Sequence, residues 1–288
     1  MKLETHGVVT LSSLDLRVRP DHRAEMGSQL LMGEVVERLG RDRAGWVRVR
    51  SAVDGYAGWV RQWGLAPCGA IRARRWARLA TVRVRIPIAS IQAEPGSTTA
   101  VGPLFLGSHV IPGPSRAGFR AVELPDARRG WVAAAALESP RGPRISLVER
   151  IRTLLGVPYL WGGRTPAGLD CSGLVQLVLG EQGTALPRDA HDQWKACELL
   201  DSGASAREGD LAFFSTSPRA RRTHVGIALG GMYFAHSRAL VRIESLDSAS
   251  PLFSEALSRQ FRGWARPRAT ASIPLDMRIS SRKRQESA

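Results

Sequence analysis

The N-terminal half of the chain consists of short β-type segments separated by Gly, Asp and Pro, and this spacing limits the folds open to it. Five such segments lie within residues 8–67, and a similar order recurs within residues 79–138. Both runs close on the tripeptide Gly-Trp-Val, at residues 58–60 and at residues 130–132. Short strands at such spacing are typical of small barrels. The sequence therefore predicts two consecutive all-β barrels.

The C-terminal half mixes two periodicities. Apolar residues recur at helical spacing in residues 145–155 and 171–183, whereas later segments alternate as strands do. A Pro-, Gly- and Arg-rich stretch at residues 139–144 is typical of a linker. We therefore expect an α+β domain after the two barrels, followed by a loose basic tail. The predicted domains are residues 1–68, 69–140, 141–267 and 268–288.

The chain is strongly basic, with 41 Lys and Arg against 26 Asp and Glu, a formal charge of +15. Such a charge attracts anions in general. The Arg richness pervades the whole sequence, however, and we find neither a basic helical stripe nor an aromatic-basic sheet motif. We therefore expect no nucleic-acid partner.

The sequence shows neither a secretory signal nor a membrane span. An acid follows Lys2 at Glu4 without an apolar run behind it. The longest unbroken apolar stretch has seven residues, 131–137, far below the ~20 that cross a bilayer. Three cysteines are too few for a disulfide framework. We expect a cytoplasmic protein that has no membrane partner, holds no metal or other cofactor, and is a monomer.

Cys171 stands where a Gly-rich loop turns into a predicted helix. The exposed N–H groups and the dipole of a helix N-terminus stabilise a thiolate, which predicts a thiol pKa below the free value of ~8.5. The same N–H groups can hold an oxyanion. An isolated cysteine is more often a small buried apolar residue, so the assignment of Cys171 as a nucleophile depends on its partners.

Two histidines downstream could be those partners. His224 begins an alternating strand and His236 follows in the next one. A nucleophilic thiol needs a base and a polar group that orients the base. Because side chains alternate along strands, the two histidines share a face only if the hairpin loop has an odd number of residues or contains a bulge. We predict a three- or five-residue loop, since a plain Gly230-Gly231 turn would separate them.

These motifs together resemble the NlpC-type, papain-like cysteine peptidases of bacterial cell-wall metabolism. The similarity covers about residues 145–267 and runs through Tyr-x-Trp-Gly-Gly, Asp-Cys-Ser-Gly-Leu-Val-Gln, Leu-Pro-Arg-Asp-Ala, Glu-Gly-Asp-Leu and the two His segments. The resemblance implies that Cys171 is the nucleophile, His224 the general base and His236 the residue that orients it. It also implies that Tyr159 lines the oxyanion site together with the backbone N–H of Cys171.

The N-terminal runs are similar to bacterial SH3-like domains, the first more closely than the second. Residues 23–34 and 54–59 resemble the γ-D-glutamyl-L-diamino acid endopeptidases of murein-peptide recycling, the dipeptidyl-peptidase VI type, in which the SH3-like domain caps the cleft. A buried carboxylate binds an ammonium strongly and disfavours a substrate whose amine is acylated. The resemblance implies that a free N-terminal L-Ala binds Glu25, Tyr56 and Asp189, and that the D-Glu site is shaped by Trp161, Asp170 and Ser172. Ala190 stands where such proteins often carry Ser.

The sequence thus predicts a cysteine endopeptidase that hydrolyses the γ-D-glutamyl to L-diamino acid bond of murein tri- or tetrapeptides during peptidoglycan recycling. Both meso-diaminopimelate and L-Lys fit as the diamino acid. Two alternatives stay open. One is a remodelling hydrolase that acts on intact wall, and the other is a non-catalytic wall-binding SH3 protein; the triad of Cys171, His224 and His236 argues against the second.

Overall fold

A computed structural model describes residues 4–138, 145–201 and 205–268. These form two compact units, divided between residues 143 and 144. The predicted linker at 139–144 and all but the first residue of the predicted tail lie outside the described residues. None of the described helices is both long enough and apolar enough to cross a bilayer.

The first sheet of the N-terminal unit has seven strands, ordered β3-β2-β6-β5-β4-β1-β7. Alternate apolar residues along these strands point into one buried cluster that includes Leu16, Val47 and Val60. This is the period-2 pattern of a half-buried strand. The strands are β1 His6–Val9, β2 Ser13–Arg17, β3 Met26–Leu31, β4 Val35–Arg38, β5 Trp46–Ser51, β6 Ala57–Arg61 and β7 Leu65–Cys68.

The second sheet repeats this topology strand for strand, with the order β10-β9-β13-β12-β11-β8-β14. It has its own buried cluster, which includes Ile91, Leu104 and Val132. The predicted internal repeat is therefore confirmed at the level of strand order. The strands are β8 Val82–Val84, β9 Ile88–Gln92, β10 Ala100–Phe105, β11 His109–Arg116, β12 Phe119–Glu123, β13 Arg129–Ala133 and β14 Leu137–Glu138.

The repeated Gly-Trp-Val has the same packing reason in both sheets. A Cβ on Gly58 would stand 2.0 Å from Leu16 Cδ2, and one on Gly130 would stand 2.4 Å from Ile91 Cγ2. Only glycine lets β6 approach β2, and β13 approach β9, so closely.

The predicted closure of each sheet into a barrel is not confirmed. Among the described residues, β3 and β7 end the first sheet, β10 and β14 end the second, and no hydrogen-bonded pairing joins the two ends of either sheet. Strand spacing in the sequence predicts how many strands form, but whether the two edges of a sheet meet depends on its twist and curvature.

A helix that the sequence analysis missed, α1 Ala70–Leu79, connects the two sheets. Ala73 and Trp76 of this helix pack against Val8 and Val35, and the Trp76 indole N–H donates to the carbonyl of Gly33 at 2.9 Å. On its outer side, exposed arginines at residues 72, 75 and 78 follow one another at helical spacing. The basic residues of α1 therefore do form a helical stripe, and the prediction that no such stripe exists is wrong for this helix.

The C-terminal unit is an α+β domain, as predicted. A six-stranded antiparallel sheet, ordered β17-β22-β18-β19-β20-β21, carries the helices. Its strands are β17 Cys197–Leu199, β18 Leu211–Phe214, β19 His224–Gly230, β20 Tyr233–Arg238, β21 Leu240–Ser245 and β22 Phe261–Pro267, and a separate two-stranded ribbon is formed by β15 Arg164–Thr165 and β16 Gly168–Leu169. The helices are α2 Leu147–Arg152, α3 Cys171–Glu181, α4 Ala190–Lys195 and α5 Glu255–Gln260.

Helix α3 is the centre of this unit. Nearly every residue from Cys171 to Glu181 is buried, so the predicted helix is a core helix that is enclosed on most of its surface. It packs on β19 and β20, and Glu181 at its end forms a buried ion pair with Arg150 of α2. The start of α3 is thereby held at the sheet.

Candidate active site

Cys171 is the first residue of α3, as predicted, and Asp170 is the N-cap. The Asp170 carboxylate accepts a hydrogen bond from the Gly173 N–H at 2.7 Å, which satisfies one of the free donors of a helix start. Its other oxygen accepts from the Gly162 N–H at 2.9 Å. The Asp-Cys-Ser-Gly motif thus fixes where the helix begins and places the thiol on its first turn.

The glycines around Cys171 permit close backbone approach. A Cβ on Gly163 would stand 2.3 Å from the carbonyl oxygen of Gly168, and one on Gly173 would stand 2.1 Å from that of Gly163. The buried Ser237 hydroxyl donates to the carbonyl of Leu169 at 2.6 Å, which ties β20 to the loop before the cysteine. The loop, the helix start and the sheet therefore form one tightly packed support.

His224 and His236 lie on the same face of the hairpin formed by β19 and β20, and His224 Nε2 is 2.8 Å from His236 Nδ1. The strands turn through the two residues 231 and 232, so the predicted three- or five-residue loop is wrong. The register shifts instead by one residue between Ala228 and Gly230. A bulge is the other arrangement that could place the two histidines together, and it brings both imidazoles to one face.

The Cys171 thiol lies beside the start of β19. The backbone N–H of Val225, the residue after His224, forms a hydrogen bond with the thiol and lowers its pKa, as does that of Ser172. Burial and the Asp170 charge act in the opposite direction and are stronger, so the pKa of Cys171 is raised to about 12. The predicted lowering of this pKa is therefore wrong as a net effect, because desolvation of the thiolate outweighs the helix N–H groups.

Burial also keeps both histidines neutral. It lowers the pKa of His224 to about 3, with the neighbouring His236 as the next cause. It lowers the pKa of His236 to about 3 as well, with Arg242 and Arg238 adding to the effect. These pKa shifts favour a neutral thiol and neutral imidazoles in the free protein, which is the starting state for general-base rather than ion-pair chemistry.

A residue that the sequence analysis missed lies behind His236. Glu244 Oε2 on β21 is 3.1 Å from His236 Nε2, and Glu244 Oε1 forms an ion pair with Arg242 Nη2 at 3.0 Å. Glu244 belongs to no motif. Only the pairing of β20 with β21 places it beside the histidines.

Tyr159 lies at the predicted position near the nucleophile. Burial, followed by the charges of Cys171 and Asp170, raises the pKa of Tyr159 to about 12. Its backbone N–H donates to the carbonyl of Ala239 at 2.8 Å. This neighbourhood is compatible with an oxyanion role for Tyr159, which stays a prediction.

The side chains of Asp170 and Ser172 accept hydrogen bonds from a buried arginine, Arg188. The Arg188 guanidinium bonds both carboxylate oxygens of Asp170, at 3.1 and 2.5 Å, and the Ser172 hydroxyl at 2.8 Å. Arg188 belongs to the Leu-Pro-Arg-Asp-Ala motif, which could have marked it as a site residue. The motif did not show that Asp170 and Ser172 are its partners. These contacts give Asp170 and Ser172 a structural part in the site, and their predicted contact with D-Glu stays a prediction.

The other predicted substrate residues lie in different parts of the chain. Trp161 is 61% exposed. Asp189 precedes α4, and partial burial raises the pKa of its carboxyl. Glu25 and Tyr56 belong to the N-terminal unit, where a Cβ on Gly27, two residues after Glu25, would stand 3.0 Å from the Tyr56 hydroxyl. The joint contact of Glu25, Tyr56 and Asp189 with an ammonium group stays a prediction.

Two family descriptions match the chain. Residues 156–260 match the NlpC/P60 family, and residues 16–65 match the bacterial dipeptidyl-peptidase Sh3 domain. The first range holds the cysteine, both histidines and Glu244, and the second lies within the first sheet.

Curated relatives have similar sequences. A γ-D-glutamyl-L-lysine dipeptidyl-peptidase of Bacillus subtilis is 34% identical over 36% of this chain and 35% of the relative. A γ-DL-glutamyl hydrolase of Bacillus subtilis is 37% identical over 35% of this chain and 25% of the relative. The matched region thus spans about a quarter to a third of these relatives. Dipeptidyl-peptidase 6 of Lysinibacillus sphaericus is 26% identical, over 88% of this chain and 96% of the relative.

Solved structures show the same fold. An NlpC/P60 family protein from Bacillus cereus superposes with a TM-score of 0.77 at 19% identity, covering 91% of this chain and 99% of that one. An NlpC/P60 endopeptidase from Photobacterium damselae gives a TM-score of 0.67 at 16% identity, covering 94% and 72%. By its family matches, this chain carries an NlpC/P60 domain at residues 156–260, preceded by a bacterial dipeptidyl-peptidase SH3 domain at residues 16–65.

Proposed function

We propose that the protein is a cysteine endopeptidase that hydrolyses the γ-D-glutamyl to L-diamino acid bond of murein peptides with a free N-terminal L-Ala. The observation that carries this proposal is the arrangement at the start of α3. The Cys171 thiol is hydrogen-bonded by the N–H of Val225, the residue that follows His224, and His224 Nε2 is 2.8 Å from His236 Nδ1. The names of the relatives support the choice of bond, since two of them are a dipeptidyl-peptidase 6 and a γ-D-glutamyl-L-lysine dipeptidyl-peptidase.

The chemistry follows from the neutral resting state. As the sulfur attacks the γ-carbonyl carbon of D-Glu, its S–H bond breaks and the proton passes to His224. The ring nitrogen that takes it is Nδ1, because Nε2 is engaged with His236. His224 then gives the proton to the leaving amine of the diamino acid. Water hydrolyses the thioester and restores the thiol.

The burial of Cys171 does not argue against this role. The residue is 6% exposed, but the groups that set its pKa, after burial itself, are Asp170, Arg188 and two backbone N–H groups. Arg188 and the N–H groups of Val225 and Ser172 stabilise the thiolate, whereas the Asp170 charge opposes it. The donors and the cation around Cys171 thus favour a reactive role over a packing role.

The free-amine requirement is part of the proposal and comes from the family resemblance, which implies that Glu25, Tyr56 and Asp189 bind the amine. Carboxylates at the site would bind the α-ammonium of L-Ala by charge-assisted hydrogen bonds. In intact peptidoglycan this nitrogen is amide-linked and carries no charge, so such a substrate would leave carboxylates unpaired. We infer from this a role in recycling released peptides in the cytoplasm.

The experiment compares L-Ala-γ-D-Glu-meso-diaminopimelate, its L-Lys counterpart and the N-acetylated form of each. Wild-type protein should release L-Ala-D-Glu from the free peptides, and Cys171→Ala should release none. The products are identified by mass spectrometry. Equal cleavage of acetylated and free peptides would remove the free-amine proposal and favour a wall-remodelling hydrolase. No cleavage by the wild type would favour a non-catalytic wall-binding protein.

A further inference from the structure

Glu244 reaches the histidine pair through the register of the edge strand. In the pairing of β20 with β21, His236 stands opposite Arg242 and Phe234 stands opposite Glu244. Glu244 is therefore two residues from the partner of His236, on the same face of the sheet. This diagonal position puts its Oε2 3.1 Å from His236 Nε2.

The facing atoms are buried and not otherwise satisfied. His236 is fully buried and the Glu244 side chain is 17% exposed. Among the described residues, neither His236 Nε2 nor Glu244 Oε2 has an aligned hydrogen bond, although the two atoms are at hydrogen-bonding distance from each other. Buried polar atoms are nearly always paired, so a small rotation of the carboxylate onto the ring N–H is the natural way to satisfy both.

We propose that Glu244 is a positioning residue of the peptidase reaction, whose carboxylate stabilises the His224–His236 pair while that pair holds the proton taken from Cys171. This inference rests on the proposed function and extends it to a fourth side chain. Glu244 touches neither substrate nor thiol and acts through His236.

The carboxylate also determines which ring nitrogens carry hydrogen. A proton on His236 Nε2 faces Glu244, so that Nδ1 of His236 keeps its lone pair and accepts from the Nε2–H of His224. Nδ1 of His224 is then left unprotonated and free to act as the base. Removal of the carboxylate would remove the preference for this tautomer.

Other charges near His224 and His236 determine whether a substitution raises or lowers the pKa of these two histidines. Arg238 and Arg242 lower the pKa of both histidines, whereas Asp170, at the start of α3, raises that of His224. A carboxylate 3.1 Å from His236 Nε2 should act against the two arginines by its charge, and it also lies 3.0 Å from Arg242. Loss of Arg242 should therefore favour the protonated pair, and loss of Glu244 should disfavour it.

The kinetic test uses the full chain and the free murein tripeptide. Glu244→Gln should lower kcat about 10-fold with KM nearly unchanged, below the effect of 10²–10⁴ expected for a group that transfers the proton itself. Glu244→Asp should recover part of the loss. Glu255→Gln is the matched control, because Glu255 is 70% exposed on α5 and pairs with Arg259.

The pH profile distinguishes positioning from mere support of the fold. Arg242→Gln should move the acid limb of kcat/KM up by about 1 pH unit, and adding Glu244→Gln to that variant should move it back. A purely structural role would change the rate in both variants without these opposite shifts. Unchanged acid limbs in both variants overturn the proposal.

Nitrogen-15 NMR of histidine-labelled protein at neutral pH separates this proposal from the proposed function. The wild type should show His236 as a single Nε2–H tautomer, and Glu244→Gln should show a mixture; His236→Asn assigns the signals. If the peptide is not cleaved but the tautomer changes, the proposed function fails and the coupling of Glu244 to His236 stands. If the peptide is cleaved and both tautomer and kinetics are unchanged in Glu244→Gln, the proposal for Glu244 is wrong.

Discussion

Arg188 is the side chain whose loss should weaken the active-site domain most. Its guanidinium is 1% exposed, and the carboxylate of Asp170 that it bonds is 9% exposed. The substitution Arg188→Met keeps most of the volume and removes the charge. It leaves the Asp170 carboxylate buried without its cation.

The expected cost can be worked out from the contacts that remain. Removing one partner of a buried ion pair costs about 3–5 kcal/mol. Asp170 would keep the N–H groups of Gly162 and Gly173, which continue to stabilise its charge. We therefore expect a loss near the lower limit, about 3 kcal/mol, and a fall in Tm of roughly 10 °C for a domain of this size.

Calorimetric unfolding of the full chain measures this loss, and two further variants control it. Arg259→Met breaks an exposed pair, 74% and 70% exposed, and should change the stability by less than about 0.5 kcal/mol. Adding Asp170→Asn to Arg188→Met removes the unpaired charge and should restore part of the lost stability. If Arg188→Met unfolds at the same temperature as Arg259→Met, the reasoning is refuted.

Two further predictions concern the base and the helix. Burial lowers the pKa of His224 to about 3, so kcat/KM should stay nearly constant as the pH falls from about 7 to about 5; an acid inflection at the ordinary histidine value of about 6.5 would contradict the assignment. In α3, Gly173→Ala should destabilise the protein by about 2 kcal/mol or more, because the new Cβ would stand 2.1 Å from the Gly163 carbonyl oxygen. In the same helix, a Cβ on Gly180 would meet nothing within 4 Å, so Gly180→Ala should stabilise the protein by about 0.8–1 kcal/mol. Chemical denaturation of the two variants measures both changes in the free energy of unfolding. Equal effects of the two substitutions would contradict the packing argument.

Features that short-range chemistry controls could be predicted from the amino-acid sequence. Strand periodicity and the repeated Gly-Trp-Val predicted the two sheets of similar strand order, and the Asp-Cys-Ser-Gly motif predicted a cysteine at a helix start. Alternation along β19 and β20 limited how His224 and His236 could meet. Each of these depends on a few consecutive residues, whose local geometry is much the same in any fold.

Features that depend on contacts between distant parts of the chain emerged only from the folded structure. The bulge in β19, rather than a longer loop, set the face of the histidines, and strand pairing brought Glu244 to His236 although no motif links them. Packing of the folded domain brings Arg188 into contact with Asp170. The thiol pKa shows why such features lie beyond sequence patterns: the helix start is local and lowers it, whereas burial comes from all surrounding elements and raises it more.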